Sequence, residues 1–319
     1  MTPDGDPDQI AEAEQAESLS RVERGGIPLA AERRLRALRE RGGSFTSDLS
    51  VADFALCHQL GLRPLSQVMG SSIYQVGWQE APWSWGAGGS FMFELETLSE
   101  AWNGVRRRAL QRLAEEAAHV GADAVVDLAL RTGSHAWAEN SIEYVAIGTA
   151  VAHGGRPGPA REPKDTGGSR ESRPTAANPV LTELSMADLA KLERAGIEPL
   201  GIVAWSSVFF AAASPETQMM GGLSGRMMFP ENQELGEYTQ GFYEARETVM
   251  RSLTSQAAEL NANGVVGMRI NHGVERISIG GGRYQRGGLM VTFHAIGTAI
   301  REREALPLHP PETTIDLTL

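Results

Sequence analysis

The sequence predicts an α+β fold in which one small module occurs twice, over residues of about 45–153 and 180–303. Two observations support this prediction. Short motifs recur in the same order in both parts of the chain, and the helical and strand patterns of apolar residues follow the same succession. The offset between matching motifs grows from 135 to 140 and then to 149 residues. Loops of unequal length between shared elements would give this growth.

Each module is predicted to begin with a short helix. A serine stands at the N-cap position, an aspartate follows three residues later, and a glycine is placed to end the helix in the left-handed conformation. These residues are Ser50, Asp53 and Gly61 in the first module and Ser185, Asp188 and Gly196 in the second.

The remainder of each module has the order strand, long helix, strand, strand. The first strands are rich in β-branched and aromatic residues, and the long helices carry apolar residues at helical spacing. These elements are predicted at 65–76, 99–120, 124–131 and 144–151 in the first module, and at 200–211, 234–260, 265–274 and 289–300 in the second. Such a β-α-β-β unit makes a three-stranded antiparallel sheet with uncovered edges and one open face. We therefore expect the two modules to cover each other and to bind further chains.

Three segments lie outside the modules. Residues 1–44 form a polar extension, in which 1–25 is either a solvated helix or disordered and 28–41 has the pattern of a basic helix. Residues 154–179 are rich in Gly, Pro, Arg, Glu and Ser and are predicted to be a flexible linker. Residues 304–319 contain three prolines and are predicted to be an extended tail.

Composition and charge argue against several classes of protein. The net charge of −11 and the pI of about 5.2 oppose binding to nucleic acid or to an anionic membrane surface. No apolar run approaches the ~20 residues that span a bilayer, and the acidic N-terminus lacks the pattern of a signal peptide. The single cysteine, Cys57, permits no disulfide within one chain. We predict a cytoplasmic protein. The basic run 106–108 is predicted to lie on a solvated helix face.

The segments between the first strand and the long helix are the most unusual part of each module. They are rich in tryptophan in the first module and in methionine in the second, which is typical either of loops that complete a core or of a recognition surface. The residues predicted to form this surface are Trp78, Trp83, Trp85, Phe91, Met219, Met220, Met227, Met228 and Phe229. The surface would bind a protein partner or a hydrophobic ligand.

No pattern of catalytic residues stands out. Serines 71–72 and 206–207 recur in the first strands, but no histidine recurs with them to act as a base. Cys57 lies among apolar residues and is predicted to be a buried thiol. The seven histidines lack the spacing of three or four residues that a metal site on one helix needs. We therefore predict no catalytic residue, no cofactor and no metal site within one chain. Metal held between subunits, by residues such as His135 or His272, is the alternative.

Two segments of each module resemble one known family. In the first module they are the helix-to-strand stretch 106–126 and the closing run Gly148-Thr149-Ala150-Val151. Their counterparts are residues 245–266 and the run Gly297-Thr298-Ala299-Ile300. Both resemble the YbjQ-like family, which is often labelled a heavy-metal-binding domain. The resemblance implies a dodecin-like β-α-β-β fold that assembles into rings, typically pentamers. Together with the duplicated sheet, it predicts a non-enzymatic, ring-forming homo-oligomer that acts as a scaffold or binding protein.

Overall fold

The structure, a computed structural model, confirms the mixed α+β architecture. It describes residues 7–41, 44–77, 91–133, 141–154, 178–212, 234–279 and 286–302. Within these ranges the chain forms six helices and two four-stranded sheets. None of these helices is long and apolar enough to cross a membrane.

The elements follow the predicted order, with two short strands added. The first part of the chain contains α1 (Pro7–Glu23), α2 (Leu29–Arg41), α3 (Val51–Gln59), β1 (Leu62–Gln75), β2 (Phe91–Glu94), α4 (Glu96–His119), β3 (Ala124–Gly133) and β4 (Ser141–His153). The second part contains β5 (Val180–Leu181), α5 (Met186–Arg194), β6 (Ile197–Ala212), α6 (Gly236–Glu259), β7 (Gly264–Ile279) and β8 (Arg286–Glu302).

The start and end of the short helices are as predicted. The Ser50 hydroxyl accepts the Asp53 amide at 3.1 Å, and the Ser185 hydroxyl accepts the Asp188 amide at 3.2 Å. Glycine follows each helix with a positive φ, which a residue with a side chain rarely adopts. These angles are +66° at Gly61 and +70° at Gly196.

The prediction of two separate three-stranded sheets is wrong, because each sheet takes a fourth strand from the other module. The strand order is β1-β4-β3-β5 in the first sheet and β2-β6-β8-β7 in the second. Strand β5 follows the linker in sequence but pairs in parallel with β3, placing Val180 beside Ala124. Strand β2 precedes α4 but pairs antiparallel with β6, placing Phe91 beside Ala212. Strands of two and four residues are too short to show a periodic pattern, so the sequence did not reveal them.

The two long helices pack on one face of the sheets. Helix α4 contacts β1 so closely that a Cβ on Gly70 would lie 1.9 Å from the Ala109 carbonyl oxygen. The closing strands pack just as tightly, because a Cβ on Gly148 would lie 2.6 Å from Val125 Cγ1. The next residue in the motif, Thr149, is fully buried. The repeated Gly-Thr-Ala motif therefore keeps neighbouring strands close and provides one buried hydroxyl, which contacts the segment before the short helix.

The N-terminal extension forms a helical hairpin on α4. Leu35 of α2 is fully buried, so this helix packs rather than lying free in solvent. The Arg112 guanidinium of α4 donates to the carbonyl oxygens of Val22 at 2.7 Å and Gly26 at 3.1 Å, which fixes the turn between α1 and α2.

Candidate assembly interface

A buried polar network lies where α4 of the first module meets the part of β6 that β2 does not pair with, residues 204–208. Asn103 donates from Nδ2 to the Ser206 carbonyl oxygen at 2.8 Å, and its Oδ1 accepts the Ser206 amide at 2.9 Å. One turn earlier, the Ser99 hydroxyl accepts the Val208 amide at 2.9 Å. An exposed strand edge invites pairing with another chain. Here α4 satisfies that edge with side chains before β2 continues the pairing.

Arg106 is the charged centre of this network. Its guanidinium donates to the Ala204 carbonyl oxygen at 2.7 Å, to Ser206 Oγ at 2.8 Å and to Asn103 Oδ1 at 2.6 Å. The side chain is only 6% exposed, and burial lowers its pKa to about 10. The prediction that 106–108 forms a solvated face is therefore wrong for Arg106. Three acceptors replace the hydrogen bonds that water would make, and the charge can therefore be buried.

His294 of β8 extends the network to the far side of Ser206. Its Nδ1 lies 2.8 Å from Ser206 Oγ, and its ring lies edge-on to Trp102 with centroids 4.7 Å apart. Burial, and secondarily the Arg106 charge, lowers the His294 pKa to about 4, so the ring is neutral at pH 7. A serine beside a histidine suggests a nucleophile and its base. Ser206 is only 1% exposed and already accepts from Arg106, so this pair contributes to packing between modules.

A second set of contacts joins the modules through β5 and α5. The Thr182 amide donates to the Val125 carbonyl oxygen at 3.0 Å, and its own carbonyl oxygen accepts the Leu128 amide at 3.2 Å. Met186 is fully buried in a cluster with Cys57 and Val126. Cys57 is buried as predicted, and burial raises the pKa of its thiol to about 11, which makes it a poor nucleophile.

Glu183 is a buried carboxylate at this contact. Its Oε2 lies 3.9 Å from Arg269 Nε, and its Oε1 has no hydrogen-bond partner among the described residues. Burial raises its pKa to about 7, against the opposing effect of Arg269. Thr182 holds the chain next to Glu183 in place, because its hydroxyl lies 2.9 Å from the hydroxyl of Thr298.

Equivalent positions of the two modules have opposite exposure. They are buried at the junction between the modules and exposed on the outer ends, the surfaces of the modules that face away from the junction. Met186 and Val208 are fully buried at the junction and Asn103 is 3% exposed. At the equivalent positions of the other module, Val51 is 89% exposed, Ile73 is 49% exposed and Tyr243 is 66% exposed. Isolated exposed apolar residues are ordinary, but here they coincide with the counterparts of an interface.

Most residues predicted for the apolar loop surface lie outside the described residues. These are Trp78, Trp83, Trp85, Met219, Met220, Met227, Met228 and Phe229. Phe91 is described, and it begins β2 instead of lying in a loop. Phe93 in the same strand packs on Phe210 with ring centroids 5.5 Å apart. The described end of the tryptophan-rich segment therefore already contacts the other module.

Potential metal ligands do not converge in the described part of the chain, where no group of three or more His, Cys, Asp or Glu residues could hold an ion. His272 lies edge-on to Phe242 with centroids 5.8 Å apart. His135 lies outside the described residues.

Sequence reasoning missed the residues that make the junction, namely Ser99, Asn103, Arg106, Met186 and His294. One signal was available. The repeat aligns Asn103 with Tyr243, and His294 with Val145. A polar residue in one module against an apolar residue in the other marks a position whose surroundings differ between the modules.

The duplicated β-α-β-β module with its Gly-Thr-Ala closing strands defines an α+β repeat protein whose two modules complete each other's sheets. The chain belongs to the YbjQ family, whose model, described as "Putative heavy-metal-binding", matches residues 88–153 and 228–302. It is also similar to encapsulin nanocompartment protein Rv1762c of Mycobacterium tuberculosis, with 34% identity over 274 residues. That alignment covers 86% of this chain and 90% of the relative. No solved structure matches the chain significantly.

Proposed function

We propose that this protein is a non-enzymatic structural subunit that assembles with further copies of itself into a closed, ring-like homo-oligomer. One observation carries the proposal. Val51, Ile73 and Tyr243 are exposed at the outer ends of the chain, whereas their counterparts are buried where the two modules meet. A fold that buries these positions inside one chain gains free energy by burying the equivalent positions between chains.

The similarity to Rv1762c supports an assembly. That relative is named an encapsulin nanocompartment protein, and it aligns with this chain over most of both lengths. The buried state of Ser206 and His294 supports a structural role over an enzymatic one, because a substrate cannot reach a hydroxyl that is 1% exposed.

The tryptophan-rich and methionine-rich segments are the part of the proposal that concerns a partner. We place a contact for a protein or a hydrophobic ligand on Trp78, Trp83 and Trp85 and on the methionines from Met219 to Met228. The position of Phe93 against Phe210 supports this, since it brings the end of the first segment to a contact between modules. The net charge of −11 supports a protein that does not bind nucleic acid.

The native mass of the full chain tests the assembly. Light scattering coupled to size exclusion is expected to give a multiple of the 34.3 kDa chain mass that persists on dilution to the micromolar range. A mass of one chain at every accessible concentration would overturn the proposal. The partner contact is tested separately by Trp83→Ala and Trp85→Ala together, which is expected to leave the native mass unchanged and to abolish binding of a hydrophobic dye such as ANS. Unfolding of that variant would show instead that these residues complete a core.

A further inference from the structure

We infer that chains join head to tail, so that the outer end of the second module in one chain docks on the outer end of the first module in the next, repeating the contact between modules within the chain. This inference rests on the proposed assembly and names its partner surface, which is a second copy of this chain. The docking surface on the second module is formed by α6 and β7, and the receiving surface on the first module is formed by residues 44–49, the first turn of α3 and β1.

On the second module, the edge of β7 can form backbone hydrogen bonds with another chain. Strand β7 is an edge of the second sheet, whereas its counterpart β3 is covered by β5. Both strands contain the same bulge, with a positive φ of 52° at Asp127 and 66° at Gly267. In the chain, the amide beside that bulge, Leu128 N, donates to the Thr182 carbonyl oxygen at 3.2 Å. The β7 edge therefore offers the same donors and acceptors without β5.

The segment that would pair with β7 has the conformation needed to do so. Thr182, the pairing residue within the chain, is held by a hydroxyl contact of 2.9 Å to Thr298. Its counterpart Ser47 makes the equivalent contact to Thr149 at 3.1 Å. Residues 44–49 therefore lie on their own sheet as 179–184 lie on theirs. Their outward edge is then available for Val265 and Met268 of another chain.

An apolar side chain at the start of α3 fits the same alignment of residues 44–49 with β7. Met186 inserts beside Val126 at the junction, where both are buried. Its counterpart Val51 is 89% exposed, and Val266, the counterpart of Val126, is only partly buried. Docking would bring Val51 of one chain against Val266 of another and cover both.

The other side of the contact would place α6 on β1. Within the chain, Arg106 donates to Ser206, and its counterpart Arg246 is exposed on α6. The receiving serine is Ser71, which is partly exposed on β1. The covered face of β6 has Ala204 at 5% exposure, whereas the equivalent face of β1 has Met69 at 47%. Packing of α6 on this face, with Arg246 donating to Ser71, would bury Met69.

The difference between Asn103 and Tyr243 at equivalent positions agrees with the bonding at Ser71. Asn103 satisfies the Ser206 backbone, but the equivalent carbonyl oxygen of Ser71 is already taken by Arg112 at 2.6 Å. A second donor to that carbonyl oxygen is not needed there. The counterpart of Asn103 is Tyr243, a large side chain that is 66% exposed and would add apolar area to the contact.

The two docking surfaces are different patches of the molecule, so the contact is heterologous. A heterologous contact repeats from chain to chain and closes into a ring when the rotation permits. Each chain contributes both modules, so a ring built in this way holds an even number of modules.

Directed disulfide formation tests the pairing. Ala124 and Val180 are paired residues of β3 and β5, and their counterparts across the proposed contact are Gly264 and Phe45. Chains carrying Phe45→Cys and chains carrying Gly264→Cys are purified separately, dissociated in mild urea, mixed and oxidised. Cys57 can remain, because it is fully buried. A Cβ at Gly264 would lie no closer than 3.4 Å to its neighbour, so the residue accepts a side chain.

The expected result is a covalent dimer of chains in the mixture and none in either variant alone. A chain carrying both substitutions should give a ladder that ends at the number of chains in the ring. The variant with Ala124→Cys and Val180→Cys is the positive control, because it should form the bridge within one chain. Covalent dimers from one variant alone, or none in the mixture while the control oxidises and the native mass is that of an oligomer, would overturn this docking and leave the assembly itself standing. A native mass of one chain would instead remove the assembly and the docking together.

Discussion

Replacing Arg106 with alanine is expected to lower the free energy of unfolding by about 3 kcal/mol. The guanidinium makes hydrogen bonds of 2.6, 2.7 and 2.8 Å to three acceptors. The net contribution of a hydrogen bond to a charged group, with the loss of water already counted, is at least about 1 kcal/mol, so three such bonds contribute at least about 3 kcal/mol. Burial opposes ionisation of Arg106, as its lowered pKa shows, and this lower bound is therefore the expected loss.

The matched control is Arg246→Ala, because Arg246 is the counterpart of Arg106 but is exposed. An exposed arginine contributes little to a single folded chain, so this change should alter its unfolding free energy by less than ~0.5 kcal/mol. If α6 docks on another chain, the same change should lower the native mass on dilution.

Urea unfolding followed by tryptophan fluorescence measures both variants, since Trp102 lies beside His294 within the network. The comparison is made at a single chain concentration, at which the wild-type chain is dissociated. A loss below 1 kcal/mol for Arg106→Ala would refute the reasoning, as would an equal loss for Arg246→Ala under these conditions.

Three further predictions concern the interface. Val51→Asp should weaken assembly by about a hundredfold, because it replaces the burial of a valine by that of an unpaired charge; Leu19→Asp, an exposed apolar residue of α1, is the control and should leave the native mass unchanged on dilution. His294→Val should remove the loss of stability in acid: unfolded histidine binds a proton near pH 6.5 and the folded residue only near 4, so wild-type stability falls as the pH drops through this window, by about 2 kcal/mol at pH 5 in urea unfolding. Glu183 acts in the opposite direction, since it holds its proton up to about pH 7 when folded and stability falls as the pH rises from about 4.5; Glu183→Gln should therefore raise the thermal unfolding midpoint at pH 8 and not at pH 4, and an equal effect at both would contradict the assignment.

The elements that the sequence predicted correctly are those set by local interactions. A serine cap with aspartate three residues on, and a glycine at the end, specify the short helices within about ten residues of chain. The long helices and strands follow from the spacing of apolar residues. The burial of Cys57 was also predictable, because it lies among the apolar residues of α3.

The candidate interface could not be predicted in the same way. The hydrogen bond from Arg106 to Ser206 joins residues 100 positions apart, and nothing near either residue indicates the partner. An arginine run on an amphipathic helix usually faces solvent, and only the edge of β6 changes that outcome for Arg106. Strands β2 and β5 are defined by the strands they pair with rather than by their own composition.

The sequence by itself determined that one module is repeated and which helices and long strands it contains. Caps, helical spacing and the Gly-Thr-Ala motif act within a few residues, so they are present in each copy regardless of its surroundings. Only the tertiary structure decided that the modules exchange strands and that one end of each is covered while the other is open. Which surface is covered depends on which module lies beside the other in the fold. Met186 is therefore buried, whereas its counterpart Val51 is exposed.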